Sequence, residues 1–322
     1  MKAPASVGEA LRSATAGLRA TGSRSPRFDA ELLLATAVGV DRAELFRTPE
    51  RVLTRLEERR FDGYLVRRQA REPVAYILGR RAFRAIELEV TPAVLIPRPE
   101  TETLVDVALE ALAAVPAGGD AAGGALGDGQ GAEAGQGGGT APGLYEPLAL
   151  DVGTGSGCIA LALAAEDPFV HVVAVDVGEA AVEVARRNAA RLGLGGRVDI
   201  ACSDLFAGLS PAQRFDVIVS NPPYIPAAEY EALEPNVREY EPRLALHGGE
   251  DGLDVCRRLI SEAALRLRPG GTLAVEVGAG QAAAVRALFA AAGALAPAQE
   301  RPDLGGIPRV VFATLALSGS VS

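Results

Sequence analysis

Four consecutive residues, Asn221-Pro222-Pro223-Tyr224, carry the strongest chemical signal in the chain. They follow the apolar run FDVIVS (215–220), and two prolines cannot continue a central strand because they lack N–H donors and fix φ. The run must end in a rigid turn at the carboxyl end of a sheet, where open α/β folds bind ligands. In that turn the Asn221 side-chain carbonyl and the Pro222 backbone carbonyl are two acceptors that move little, suited to both N–H groups of a planar –NH₂. Tyr224 adds a flat face on which a planar amide or base stacks. An amide nitrogen held this way is a poor nucleophile, because its lone pair is delocalised. Methyl transfer from a sulfonium suits it: the step needs the nitrogen in line with the S–CH₃ bond, desolvated, with both N–H bonds aimed at acceptors that stabilise developing positive charge. An aspartate at 221 would keep an acceptor of the same size.

A second signal precedes it. Asp151-Val-Gly153-Thr154-Gly155-Ser156-Gly157 ends one apolar run, LALDV (148–152), and opens an apolar helix from Cys158, so its glycines allow a sharp turn and a close ligand approach. Asp176 ends the next run, VHVVAVD (170–176), where a carboxylate accepts hydrogen bonds from ribose hydroxyls. Nicotinamide and S-adenosylmethionine sites share this arrangement, and Gly155, Gly157 and Ala160 even satisfy G-x-G-x-x-[G/A]. A dehydrogenase reading leaves Asn-Pro-Pro-Tyr unexplained. Asp204, closing RVDIACSD, is placed to accept from an adenine amine, and a helix cap explains it equally well.

The elements that must position these residues are visible in the periodicity. Apolar strands at 148–152, 170–176, 215–220, 271–277 and 308–317 alternate with amphipathic helices such as 180–192, which means a mostly parallel, doubly wound α/β sheet covered on both faces. Upstream the period is helical: Val7, Leu11, Ala14 and Leu18 share one face, and Ser25-Pro26 and Thr48-Pro49 read as helix starts with proline at the first helical position. At Ile86, Leu88 and Val90 the period becomes two. Residues 116–147 are dominated by Gly and Ala, cannot offset their ordering entropy by burial, and read as a flexible, disordered insertion.

Composition narrows the function classes. The 322 residues carry 32 Lys and Arg against 41 Asp and Glu, a net charge of −9, with 48% hydrophobic residues. That balance argues against a broad nucleic-acid footprint. Three dispersed cysteines, Cys158, Cys202 and Cys256, give neither a disulfide framework nor a metal motif, and only His171 and His247 are available as imidazoles. No stretch approaches the roughly 20 apolar residues of a membrane span, so a cytoplasmic protein is expected.

Together, DVGTGSGCIALALA, AVDV, SNPPYI, EPRLALHGGEDGLD, LAVEVG and IPRVV, with IPRPETE (96–102) upstream, resemble the HemK-type release-factor glutamine methyltransferases over nearly the whole chain apart from 116–147. Asn-Pro-Pro-Tyr alone also fits amino-methyltransferases of DNA and RNA bases; the combination is more selective. The resemblance implies a Rossmann-like S-adenosylmethionine-dependent methyltransferase domain over 100–322, a small helical substrate-recognition domain over 1–80 and a β-hairpin linker over 81–99. It implies methyl transfer from S-adenosyl-L-methionine to the glutamine amide nitrogen in the Gly-Gly-Gln loop of class-one peptide chain release factors. A ribosomal-protein glutamine or an exocyclic base amine is the alternative substrate. Carried onto this chain, Gly153, Thr154, Gly155, Ser156 and Gly157 hold the methionine part of the cofactor and Asp176 its ribose, while Asp204 and Leu205 flank the adenine. Asn221, Pro222, Pro223 and Tyr224 hold the substrate amide, with Asn221, Pro222 and Tyr224 catalytic and Asn221 also touching the cofactor. No metal, membrane or direct nucleic-acid contact is expected, and the protein is expected to be a monomer. Family members often have Trp where this chain has Leu205, followed here by Phe206. Arg98, Glu100 and Glu102 are candidates for the substrate entrance, and Glu241 and Asp251 for support of a lid.

Overall fold

The computed structural model describes residues 5–115 and 145–316. The Gly/Ala stretch 116–144 lies outside the described residues.

At the N-terminus α1 (Val7–Ala20) opens with a capping box between Ser6 and Glu9 and buries Val7, Ala10, Ala14 and Leu18. The second helix, α2 (Pro26–Val38), starts at the expected proline, although the Ser25 hydroxyl makes no capping bond. Thr48-Pro49 is not a helix start. Thr48 closes α3 (Arg42–Arg47), its hydroxyl donating to Glu44 O at 3.0 Å. The real start lies six residues on, where Thr54 and Glu57 form the capping box of α4 (Arg55–Gln69), a reciprocal pair that outweighs a proline without an acidic partner. A short α5 (Val74–Leu78) follows.

The period-two segment is a hairpin, β1 (Arg80–Phe83) and β2 (Ile86–Glu89). After a 3-10 turn at Pro99–Thr101 comes α6 (Glu102–Ala113). The sheet then builds through β3 (Leu148–Val152), α7 (Cys158–Glu166), β4 (His171–Asp176), α8 (Glu179–Arg191), β5 (Val198–Cys202) and β6 (Phe215–Ser220). Three short helices follow, α9 (Ala227–Tyr230), α10 (Pro235–Arg238) and α11 (Arg243–Leu246), and then α12 (Asp254–Ala263), β7 (Leu267–Glu276), α13 (Ala282–Ala291), β8 (Gln299–Pro302) and β9 (Pro308–Thr314). The seven-strand order is β5-β4-β3-β6-β7-β9-β8. Pairings from β5 through β7 are parallel, and the last two are antiparallel. The sheet is doubly wound: successive residues alternate between faces, Ala149, Val172 and Val217 packing in one core with α6 and α7, and Leu150, Val173 and Ile218 in the other with α12 and α13. Strand order reverses on either side of β3, so the crevice opens outside the carboxyl ends Val152, Asp176 and Ser220.

Two boundaries differ from the sequence reading. The chain forms two compact units, Met1–Arg80 with Val90–Pro92 and Leu233–Glu241, and Arg81–Glu89 with Ala93–Ala232 and Pro242–Ser322. Residues 233–241 join the helical unit because Tyr240 Oη donates to Ala70 O at 2.6 Å and Arg24 pairs with Glu234. Residues 145–147, read above as part of the Gly/Ala insertion, are tied to the sheet: Tyr145 Oη donates to the buried Asp216 carboxylate, which also accepts from Leu148 N at 2.7 Å and pairs with Arg268. Among the described residues no helix is long and apolar enough to cross a membrane.

Candidate active site

Strand β3 delivers Asp151 and the glycine loop to the carboxyl edge. Gly153 N and Thr154 N both donate to Val175 O, at 2.8 and 3.0 Å, folding the loop back onto β4. Asp176 pins it from the other side, Oδ2 accepting from Gly155 N at 2.9 Å and Oδ1 from Gly178 N at 2.8 Å. Gly155 has φ +56, a left-handed conformation that leaves bare backbone facing open space. Behind the loop the fully buried Asn188 donates to Ser156 O at 2.9 Å and to Glu89 O at 3.0 Å, locking the loop to β2.

The loop borders a cavity of about 360 Å³, within the range of small-molecule sites. Gly153, Thr154, Gly155, Ser156, Asp176, Asp204, Leu205, Asn221, Pro222 and Pro223 all line it. Gly157 and Tyr224 do not. Gly157 caps α7, where a Cβ would lie 2.9 Å from Leu161 Cδ1. Tyr224 packs on Gly278, where a Cβ would come within 3.0 Å of its ring. Burial pushes the Tyr224 hydroxyl up to about 12, and Glu276, Arg309, Arg98 and Glu100 are its charged neighbours. Asp204 pairs with Arg258 at 2.8 Å on the rim. Leu205, with φ +50, borders the cavity yet packs with Phe206 in the same core, and no aromatic side chain is among the described lining residues. Leu205, Leu244 and Val255 are among the apolar residues that line the cavity.

Beyond the glycine loop the Asn-Pro-Pro-Tyr turn is clamped by backbone. Ile225 N donates to Leu246 O and Gly248 N to Ile225 O, both at 2.9 Å, while Gln281 Nε2 donates to Tyr224 O at 2.9 Å. The HGGEDGLD segment therefore packs the turn: His247 Nδ1 accepts from Gly249 N at 3.4 Å and its ring meets the Tyr230 ring in a T-shaped contact. Asp251 pairs with Arg257, and Glu241 lies in the helical unit. Of the entrance candidates Arg98 lines the cavity, whereas Glu102 accepts from Arg84 N of the hairpin at 3.4 Å. Thr101 is a lining residue without a sequence signal of its own, and its hydroxyl receives Asn221 Nδ2 at 3.1 Å.

Two buried carboxyls sit at this edge. Desolvation raises Asp151 to about 7, against its bonds from Thr154 Oγ1 and Ala160 N, and leaves its Oδ1 without a partner among the described residues. Glu276, at the end of β7, is likewise raised to about 7 by burial, although a hydrogen bond from Thr101 opposes the shift. A carboxyl that binds its proton more tightly when folded adds stability below its unfolded value near 4.5, and that contribution is lost as pH rises through about 7. Glu276→Gln, neutral throughout, should therefore gain on the wild type by roughly 2 to 3 kcal/mol between pH 5 and pH 8. Urea denaturation at both values checks this; parallel stabilities would contradict it.

The cavity suits an adenosyl sulfonium cofactor: bare glycine backbone, Asp176, apolar side chains and the Asn-Pro-Pro turn all line it. Comparison with known proteins agrees. Residues 9–79 match the family described as PrmC N-terminal domain and residues 145–238 the Methyltransferase small domain family. The chain is 40% identical to a release factor glutamine methyltransferase of Koribacter versatilis, covering 94% of this chain and 96% of that protein. It is 39% identical to one of Streptomyces coelicolor, covering 94% and 96%. The solved hMettl16 catalytic domain shares the fold, at TM-score 0.51 and 14% identity, covering 73% of this chain and 77% of that one. With near-full-length identity at this level, the chain belongs to the release factor glutamine methyltransferase family.

Proposed function

We propose that the protein transfers a methyl group from S-adenosyl-L-methionine to the side-chain amide nitrogen of the Gly-Gly-Gln glutamine of class-one peptide chain release factors. The observation that carries this reading is the orientation of Asn221: its Nδ2 is engaged by Thr101, which leaves Oδ1 to accept, and both Asn221 and Pro222 line the cavity. Two acceptors suit an amide nitrogen that must lose its proton only after it has been alkylated. Bound S-adenosylmethionine supplies the methyl group on a sulfonium, which needs no acid to leave. The loop Gly153–Ser156 and Asp176 hold the cofactor, Asp204 and Leu205 border its base, and Asn221, Pro222 and Pro223 hold the substrate amide. Tyr224 supports the turn from behind. The helical segment 1–80 serves substrate recognition, and the protein acts as a cytoplasmic monomer without direct nucleic-acid contact.

Incubated with methyl-labelled S-adenosylmethionine and a purified class-one release factor, the protein should transfer one methyl per factor; a factor with glutamate in place of the loop glutamine should take none. Absence of transfer to the intact factor overturns the reading. Asp176→Ala should weaken cofactor binding by about 1 to 3 kcal/mol, because Gly155 N and Gly178 N lose their acceptor together with the ribose. Calorimetry with S-adenosylmethionine checks this. An unchanged affinity would remove Asp176 from the cofactor site.

A further inference from the structure

A primary amide can present either its nitrogen or its oxygen to a given neighbour, so Asn221 works as an acceptor only if something fixes its orientation. The neighbour is Thr101, 120 residues away in sequence, at the end of the 3-10 turn that precedes α6. A hydroxyl has one hydrogen. That of Thr101 is taken up by the Glu276 carboxyl, which keeps an accepting oxygen whether ionised or protonated. The Thr101 oxygen then has lone pairs alone to offer, and Asn221 meets it with Nδ2 at 3.1 Å. Thr101 and Glu276 are each 1% exposed, so water does not compete for either group. We propose that Thr101, held by Glu276, is a positioning residue that fixes the Asn221 side-chain amide with Oδ1 toward the substrate.

This inference rests on the proposed methyl transfer and adds a residue to it. Thr101→Val keeps the shape and removes the hydroxyl; it should slow single-turnover methylation of a release factor roughly tenfold to a hundredfold, with cofactor affinity within about twofold of wild type. Thr101→Ser should restore most of the rate. In an Asn221→Ala background Thr101→Val should change the rate less than about twofold, because the group it orients is gone. A wild-type rate for Thr101→Val, an equal slowing in both backgrounds, or failure of serine to rescue overturns the positioning role. Side-chain amide NMR of ¹⁵N-labelled protein reads the contact without turnover: the Asn221 Nδ2 protons should be protected from exchange in wild type and released in Thr101→Val. Unprotected protons in wild type overturn the inference on their own. Protected protons in a wild type that methylates no release factor overturn the proposed function and leave the positioning intact.

Discussion

Replacing Asn221 by alanine is expected to slow methyl transfer by about two to three orders of magnitude, the loss seen when one preorganised polar group that acts on transition-state charge is removed. Cofactor affinity should change only a few-fold, since the loop on β3 and Asp176 are untouched. Read from the sequence alone, aspartate keeps the acceptor and should outperform alanine. The fold reverses that order. Aspartate has no hydrogen to give Thr101 Oγ1, and it would bring a second carboxylate beside the buried Glu276. Asn221→Asp is therefore expected to be no faster than Asn221→Ala at neutral pH. Single-turnover kinetics with saturating release factor decide it, and near-wild-type rates for both variants would leave the turn a structural role only.

Gly252→Ala is expected to lower kcat by about two orders of magnitude or more. At φ +81 a Cβ on residue 252 would lie 2.3 Å from Tyr224 O and 2.7 Å from Gln281 Nε2, so the bond that holds the turn must break. The left-handed backbone adds about 1 to 3 kcal/mol of strain, and a displacement near 1 Å at a reacting group is enough for a hundredfold loss. Gly293→Ala is the matched control, with φ +70 and nothing within 4 Å of its Cβ; it carries the strain without the collision and should stay active. If both variants lose stability and activity equally, backbone strain and not the turn explains the effect.

What was legible in the sequence was local. The parallel strands β3, β4, β6 and β7 each carry an apolar run, the loop announces itself by three glycines between strand and helix, and Asn-Pro-Pro-Tyr is stiff by covalent structure. What was not legible depends on distant packing. Thr101 lies between two glutamates in a segment that reads as a charged entrance, and only the fold brings it to Asn221 and Glu276. Glu276 ends an apolar strand and looks like any solvent-facing terminus until its 1% exposure is known. Gly248 and Gly252 carry no signal of their own within EPRLALHGGEDGLD, yet their missing side chains make room for the Pro223 and Tyr224 carbonyls. Strand β8, QERP, was missed because a polar edge strand has no apolar run to reveal it.

Locating the transferred methyl group tests the central claim most directly. The wild-type protein, methyl-labelled S-adenosylmethionine, a class-one release factor and ribosomal RNA are incubated together, and tandem mass spectrometry assigns the label to an atom. The expected result is label on the side-chain nitrogen of the Gly-Gly-Gln glutamine, lost with Asn221→Ala, and none on RNA. Label on a base amine, or on the release factor at a residue that offers no amide to the Asn221 and Pro222 carbonyls, would contradict it.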